Sequence, residues 1–479
     1  MAGVDSPAMS RRRRKPNWTP EIGTPGALDR RGRAVLPAPP APTPDPDAPA
    51  SASPGKRVRE ARIDGALPGE TVEFLRCDRE GQADAARTLQ VIEPAAERVD
   101  ARCPHYGVCG GCSLMHLDDA AQIAWKESLL REDFAAHGVE PAEWLPPLRA
   151  GIWRYRRRAR LGVKWVQGKG KVVVGFREKD RRFIADMHTC EVLAGPERGP
   201  LAAEPGRVIP LLSALVGELS IAAKLPQVEV SVGDDDEIAL VMRVLEPPSE
   251  ADLDRLRGFS AEQQVRIFLQ PGGLDTVAPL DADRDPGPGD LLHFNLPAFD
   301  LRLGFRPTDF VQVHAGLNRA MIDRAVELLA VEPEHRVLDL FCGLGNFSLP
   351  LARRAGFVLG VEGDAGLVAR AEHNAAANGI THARFERRDL YSGHDDLSWI
   401  DGHYDRVLLD PPRSGAEAIV ERFDRIGAPR VVYVACSPET LARDAAILVN
   451  RHGYRLAAAG VMDMFPHTAH VESIALFER

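Results

Sequence analysis

The stretch "VLDLFCGLGNFSLPLA", residues 337–352, decides the fold. A run of branched apolar residues ends at Asp339, a turn carries glycines at 343 and 345, and a helical pattern follows. Glycines placed so soon after a strand let the backbone come close to a ligand. The next strand-like run, "FVLGVEGD", ends in Glu362, about 20 residues on, where a carboxylate can bind ribose hydroxyls. An ordinary tight turn or a dinucleotide site would use the same glycines. The dinucleotide fingerprint, however, wants a third, helix-packing glycine, and Phe347 stands there.

Outward from this point, strand-like and helix-like segments alternate from about residue 305. The runs "RVLDLF", "FVLGVEGD", "ARFERRD", "YDRVLLDPP" and "RVVYVACSP" are separated by segments such as "DAGLVARAEHNAAANG". Near-continuous apolar strands of this kind lie in a parallel sheet covered on both faces. The expectation is a doubly wound, Rossmann-like α/β domain over 301–479. The final runs, "YRLAAAGVMDMF" and "HVESIALFER", are too close for a crossover and are expected to pair antiparallel at an edge. "LLDPPR" places Asp410 and two prolines at a strand end, an acidic lip that moves the cofactor reading to S-adenosylmethionine, although X-Pro also simply stops strands. Cys436 of "VVYVACSP" lies just past a central strand, at a helix start that favours thiolate. A thiolate beside a methyl donor suggests covalent catalysis, with Glu472 of "PHTAHVES" as the accompanying base. The commoner fates are a buried structural cysteine and a solvated edge glutamate.

The N-terminal half has a different texture. Residues 1–18 are polar and basic without a period, and are expected to be a disordered tail. Residues 19–98 read as short strands with glycine turns, forming one small β-barrel interrupted by a Pro/Ala-rich insertion at 36–56. Residues 99–300 suggest an α+β middle domain. It contains "RCPHYGVCGGC" (102–112), with cysteines at 103, 109 and 112 in a chain of seven. Three ligands are too few for a closed metal site, and "ADMHTCEVL" offers Cys190 as a fourth. Four thiolates suit zinc and [4Fe–4S] equally, and His105, His116 and His188 keep zinc in play.

The net charge of −9 gives no global nucleic-acid signature, but "WRYRRRARLGVKW" (153–165) interleaves arginine with aromatics, a pattern suited to phosphate contact and base stacking. No apolar run is long enough to span a bilayer and no secretory leader is visible, so a cytoplasmic location without membrane partners is expected.

Taken in order, "FRPTDFVQVHAGLN", "DLFCGLGNFSLPLA", "VEGD", "LLDPPR", "YVACSPETLARD" and "DMFPHTAHVES" resemble the RNA uracil-C5 methyltransferases. With the cysteine cluster and "GALPGETV" (65–72), which looks like part of an OB-like TRAM barrel, the pattern over 24–479 resembles the RlmD (RumA) family, which methylates 23S rRNA at uracil 1939. The resemblance implies Cys436 as nucleophile and Glu472 as base. It implies Gln312, Phe341, Asn346, Glu362, Asp389 and Asp410 around S-adenosylmethionine and the target base. It further implies a [4Fe–4S] cluster on Cys103, Cys109, Cys112 and Cys190, a 23S rRNA substrate and a monomer. His314 departs from the family's "QVN", which puts a secondary contact in question, and Cys342 is read as structural. A sister activity on another 23S rRNA or tRNA uridine is the alternative. A non-catalytic RNA-binding relative would lack Cys436, Glu472 or Asp410, and all are present. A radical or electron-carrier enzyme would want CxxxCxxC, and an adenine amino-methyltransferase an aromatic where Arg413 stands.

Overall fold

The structure is a computed structural model that describes residues 19–40, 58–281, 288–391, 399–400 and 403–479. The basic tail 1–18 and most of the Pro/Ala insertion lie outside the described residues. The chain forms two compact units, Met1–Arg98 and Val99–Arg479.

The first unit contains β1 (Glu21–Gly23), β2 (Ala34–Leu36), β3 (Ala61–Asp64), β4 (Thr71–Glu80) and β5 (Ala83–Glu93). They make one five-stranded sheet in the order β1-β4-β5-β3-β2, antiparallel except for the β3–β5 pair. Gly81, with φ +59°, turns the β4–β5 hairpin, and register shifts along that pair increase its twist. Ala34, Ile63, Val72 and Phe74 fill a small core. Three charged groups of this unit are buried and paired: Arg76 with Asp84 and with Glu21, and Glu70 with Arg98.

The second unit opens with α1 (Asp119–Ala136) and β6 (Glu143–Trp144). A mixed six-stranded sheet follows, from β7 (Arg158–Val166), β8 (Lys171–Gly175), β9 (Gln227–Val232), β10 (Ile238–Arg243), β11 (Arg266–Gln270) and β12 (Ala278–Pro279). Helix α2 (Val208–Gly217) packs on β8, and α3 (Glu250–Gln263), closed by a Ser249–Asp252 capping box, packs beside β11. A hairpin of β13 (Leu292–Leu296) and β14 (Leu301–Phe305) leads into the last region.

That region runs α4 (Ala315–Leu329), β15 (Arg336–Leu340), α5 (Ser348–Ala352), β16 (Phe357–Glu362), α6 (Ala365–Ala377), β17 (Ala383–Arg387), β18 (Arg406–Leu409), α7 (Glu417–Val420), α8 (Phe423–Ile426), β19 (Arg430–Ala435), α9 (Pro438–His452), β20 (Arg455–Met462) and β21 (Glu472–Glu478). The strands form one eight-stranded sheet, in the order β17-β16-β15-β18-β19-β21-β20-β6. Strands β15 to β19 are parallel, as their branched runs predict. Both faces are covered. Val337, Val432 and Val434 join one core with Leu317 and Met321 of α4, while Leu338, Leu340 and Tyr433 join another with Leu441 and Leu448 of α9.

The antiparallel end differs in one respect from the expectation. The β20–β21 pair is not the margin of the sheet. β21 lies between β19 and β20, and β6 adds a further strand outside β20. Together with α1, which packs on α9 and β20, β6 brings residues from well before the α/β region onto its flank. Sequence adjacency did not signal this, because β6 is two residues long.

Candidate active site

Chain order in the sheet creates the site. The chain starts at β15, winds outward through β16 and β17, then returns to the other side at β18. At such a reversal the flanking connections diverge and leave a crevice beyond the carboxyl ends of the strands. A cleft of about 1010 Å³ lies there. Phe341, Glu362, Asp389, Asp410 and Cys436 follow or close successive parallel strands, and all line it, together with Gln312, Asn346 and Glu472. Every cofactor and catalytic position singled out from the sequence therefore faces one space. Glu472 arrives by a different logic. β21 runs against its neighbours, so its first residue lies at the edge where theirs end. Ala435 pairs with Ser473, which sets Cys436 alongside Glu472.

The glycine turn is held open for a ligand. Phe341, Gly343 and Gly345 all have positive φ, at +63°, +56° and +94°. A Cβ on Gly345 would meet Leu349 at 3.1 Å. The Gly343 N–H donates to Glu362 Oε2 at 3.1 Å, and Glu362 Oε1 accepts from Gly363 and Asp364 at 2.7 and 2.9 Å. Glu362 thus ties the first turn to the second. Asn346 and Asn318 exchange amide hydrogen bonds, each 3.0 Å. Asp339 is fully buried beneath the turn, accepts from the Ser348 hydroxyl, and burial pushes its carboxyl up to about 8. Cys342 is buried, and the same burial raises its thiol far above its ordinary value, which fits the structural reading even though it touches the cleft wall.

The electrostatics at the other end corrects one expectation. The thiolate form of Cys436, inferred from the helix start, is opposed by its surroundings. Burial first, then the charges of Glu472 and Asp410, push the thiol up to about 11, with Arg413 acting the other way. Burial and Asp410 likewise raise Glu472 to about 8, against Arg413 and Lys126. Burial raises Asp410 to about 7. Without a ligand the Cys436 thiol and the Glu472 carboxyl are thus held largely protonated near neutral pH.

His314 is used for architecture. Its Nδ1 accepts the Leu317 N–H at 3.2 Å as the N-cap of α4, and its Nε2 donates to the Gly151 carbonyl at 2.8 Å. That fixes the tautomer, the ring stacks on Tyr155 at 4.9 Å, and burial lowers its pKa. Several cleft groups escaped the sequence reading. Phe310, Tyr391 and Phe465 supply aromatic walls, and Arg413 donates to His470 Nδ1 at 2.7 Å. Asn318, which holds Asn346, was within reach, since it lies four residues past His314, one helical turn along, and closes the quoted "FRPTDFVQVHAGLN".

The four cysteines at 103, 109, 112 and 190, brought from loops on either side of β7 and β8, line one small cavity of about 20 Å³. Met115, Phe176, Met187 and Val192 form its apolar wall, and Arg156 and Glu191 are the charged residues that line it. Cys109 Sγ accepts the Gly111 N–H at 3.4 Å. As the side chains stand, no group of three or more His, Cys, Asp or Glu among the described residues is close enough to hold a metal ion. Convergence of four thiols on one apolar cavity is nonetheless a donor set that fits a four-thiolate group. His105 Nε2 accepts the His188 N–H at 3.1 Å, and neither ring lines the cavity.

Comparison with known proteins agrees with this geometry. Residues 296–479 match the tRNA (Uracil-5-)-methyltransferase family. The 23S rRNA (uracil(1939)-C(5))-methyltransferase RlmD of Alkalilimnicola ehrlichii is 52% identical over 418 residues, covering 87% of this chain and 91% of that protein. The protein of that name from Methylococcus capsulatus is 49% identical over the same shares. Among solved structures, the Pyrococcus abyssi tRNA (uracil-54, C5)-methyltransferase in complex with S-adenosyl-L-homocysteine superposes with a TM-score of 0.68 at 23% identity, covering 95% of this chain and all of that one. At that identity the likeness speaks for the fold.

Proposed function

We infer how the site works from the fact that the chain belongs to the RlmD family of 23S rRNA (uracil(1939)-C(5))-methyltransferases. The protein is an S-adenosylmethionine-dependent RNA methyltransferase that modifies carbon 5 of a uridine in 23S rRNA, at the position equivalent to uracil 1939. The observation that carries the reading to particular residues is the meeting of Cys436 and Glu472 at one end of a cleft whose other end is the glycine turn.

Bound S-adenosylmethionine supplies the electrophilic methyl group that ends on C5. Gln312, Phe341, Asn346, Glu362 and Asp389 hold it, with Phe341 and Tyr391 as an aromatic wall and Glu362 toward the ribose. Cys436 Sγ adds to C6 of the uracil, which makes C5 nucleophilic. The thiol proton has to leave as that bond forms. We assign that proton to Asp410, which lines the same cleft as the thiol and whose charge reaches it. Glu472 then removes the C5 proton, and the C6–S bond breaks to free Cys436.

Residues 19–98 serve as the TRAM-type RNA-binding unit, and 99–300, with the basic-aromatic stretch 153–165, as the middle domain ahead of the methyltransferase domain 301–479. Cys103, Cys109, Cys112 and Cys190 would hold a [4Fe–4S] cluster that ties the 103–112 loop to 190. Methyl transfer and proton removal balance without an electron, so the cluster acts by holding these loops. No helix among the described residues is long and apolar enough to cross a membrane. On the family resemblance we place the enzyme in the cytoplasm as a monomer. Methylation mapping of 23S and transfer RNA from a strain lacking the gene tests the target. Loss of one 23S uridine methyl is expected, and loss of a tRNA methyl instead would overturn the assignment.

A further inference from the structure

The segment 463–471 connects β20 to Glu472, and it is gripped by residues more than 300 positions earlier in the chain. Lys126 on α1 is almost completely buried. Its Nζ donates to Asp463 Oδ1 at 2.6 Å and to the Phe465 carbonyl at 3.1 Å. Gln122, four residues earlier and so on the same face of α1, accepts the His467 N–H at 2.9 Å. Ser113 and Leu114, directly after Cys112, both donate their N–H groups to the His467 carbonyl at 2.9 Å. Ser113 Oγ accepts the Ala469 N–H at 3.1 Å, and Tyr155 donates to the Pro466 carbonyl at 3.0 Å. His467 itself is held at φ +65°, a conformation its neighbours must enforce.

A buried ion pair is a costly way to fix a turn. Desolvation costs several kcal/mol per ion, and a well-packed apolar pair of similar volume is often at least as stable. The Lys126 charge therefore has a use beyond packing. The charged groups facing Glu472 are Asp410, which opposes its ionisation, and Arg413 and Lys126, which favour it. Around Lys126 stand Asp463, His467 and His470, the two histidines held down to about 4 by burial and neighbouring cations. Cys436 completes the group.

We propose that Lys126 is a positioning residue for the proton-removal step, fixing through Asp463 and the Phe465 carbonyl the segment that carries Glu472 and presenting its ammonium to that carboxylate. The proposal rests on the reading of Glu472 as base. In the step concerned, the Glu472 carboxylate takes the C5 proton. The C5–H electron pair re-forms the C5=C6 double bond, and the C6–S pair leaves on Cys436.

The test separates early from late chemistry. A 23S rRNA fragment with the target uridine and methyl-tritiated S-adenosylmethionine is followed by quenching into denaturant. Wild type is expected to release product without accumulating a labelled covalent adduct. Lys126→Met is expected to form that adduct and release it about tenfold more slowly, with the pH profile of release displaced upward by about one unit. Lys126→Arg should restore most of the rate. Should Lys126→Met fail to fold, Lys126→Met with Asp463→Leu removes the orphaned charge, and the same slow release is expected of it. Release at the wild-type rate in that double variant overturns the proposal. So does a proportional loss of adduct formation and release with an unmoved pH profile. A 5-fluorouridine fragment serves as control. Failure of wild type to form an adduct with it would overturn the covalent reading itself, a different result from a Lys126 variant that forms the adduct and releases product normally.

Discussion

Glu472→Gln removes a buried ionisable group while keeping its shape, so the account predicts a change in stability with a definite pH dependence. The carboxyl moves from an ordinary 4.5 to about 8 in the folded chain. A raised folded value favours folding at low pH, and that advantage is lost as pH rises from the unfolded value through the folded one. At pH 7 the wild type carries a penalty of up to ~3 kcal/mol from this group relative to pH 4. Because the group borders an open cleft, solvent screening leaves ~1–2 kcal/mol of that. Gln carries no such penalty. Urea unfolding of both proteins in parallel from pH 4.5 to 8.5 is the assay. The two should be nearly equal at the acid end, and Glu472→Gln should be more stable by ~1–2 kcal/mol above pH 7. A difference that is constant across pH, or a variant that is less stable at pH 8, would refute the claim that Glu472 is held protonated by burial and Asp410.

Other expectations follow from single contacts. Gly345→Ala places a Cβ at φ +94° and 3.1 Å from Leu349, so it should cost ~1–2 kcal/mol and weaken S-adenosylmethionine binding about tenfold by calorimetry. His314→Ala removes a helix cap and should cost ~1–2 kcal/mol in thermal unfolding, whereas His314→Asn, which keeps a good cap, should cost less than half of that. Cys112→Ser should lower bound iron and sulfide in the purified protein and destabilise the 99–479 unit, seen as faster proteolysis near Ser113, without changing the unfolding of residues 19–98.

The parallel strands were legible in the sequence, because branched apolar runs bounded by glycine, aspartate and proline allow little else. Their carboxyl-end residues then fall into one cleft by topology, which is why Phe341, Glu362, Asp389, Asp410 and Cys436 could be named from motifs. The placement of β21 between β19 and β20 was not legible, since antiparallel pairing of two close runs leaves open which of them faces β19. Nor was the contribution of α1. Lys126 lies among Ile123, Leu129 and Leu130 on a helix face that buries all of them, and a lysine in an apolar stripe was the available signal. Its partner Asp463 is 337 positions away, a distance no local pattern spans. The charge state of Cys436 was misjudged for a related reason. The helix start is local and visible, but burial of the thiol, and after it the charges of Glu472 and Asp410, come from the fold and outweigh it.

We assign the bond to the target base to Cys436. Incubation with S-adenosylmethionine and a 5-fluorouridine-substituted 23S rRNA fragment, followed by denaturing electrophoresis and mass mapping of the shifted band, measures it directly. A stable adduct whose cross-linked peptide contains Cys436 is expected, and none with Cys436→Ala. An adduct that survives Cys436→Ala, or maps to another cysteine, would contradict it.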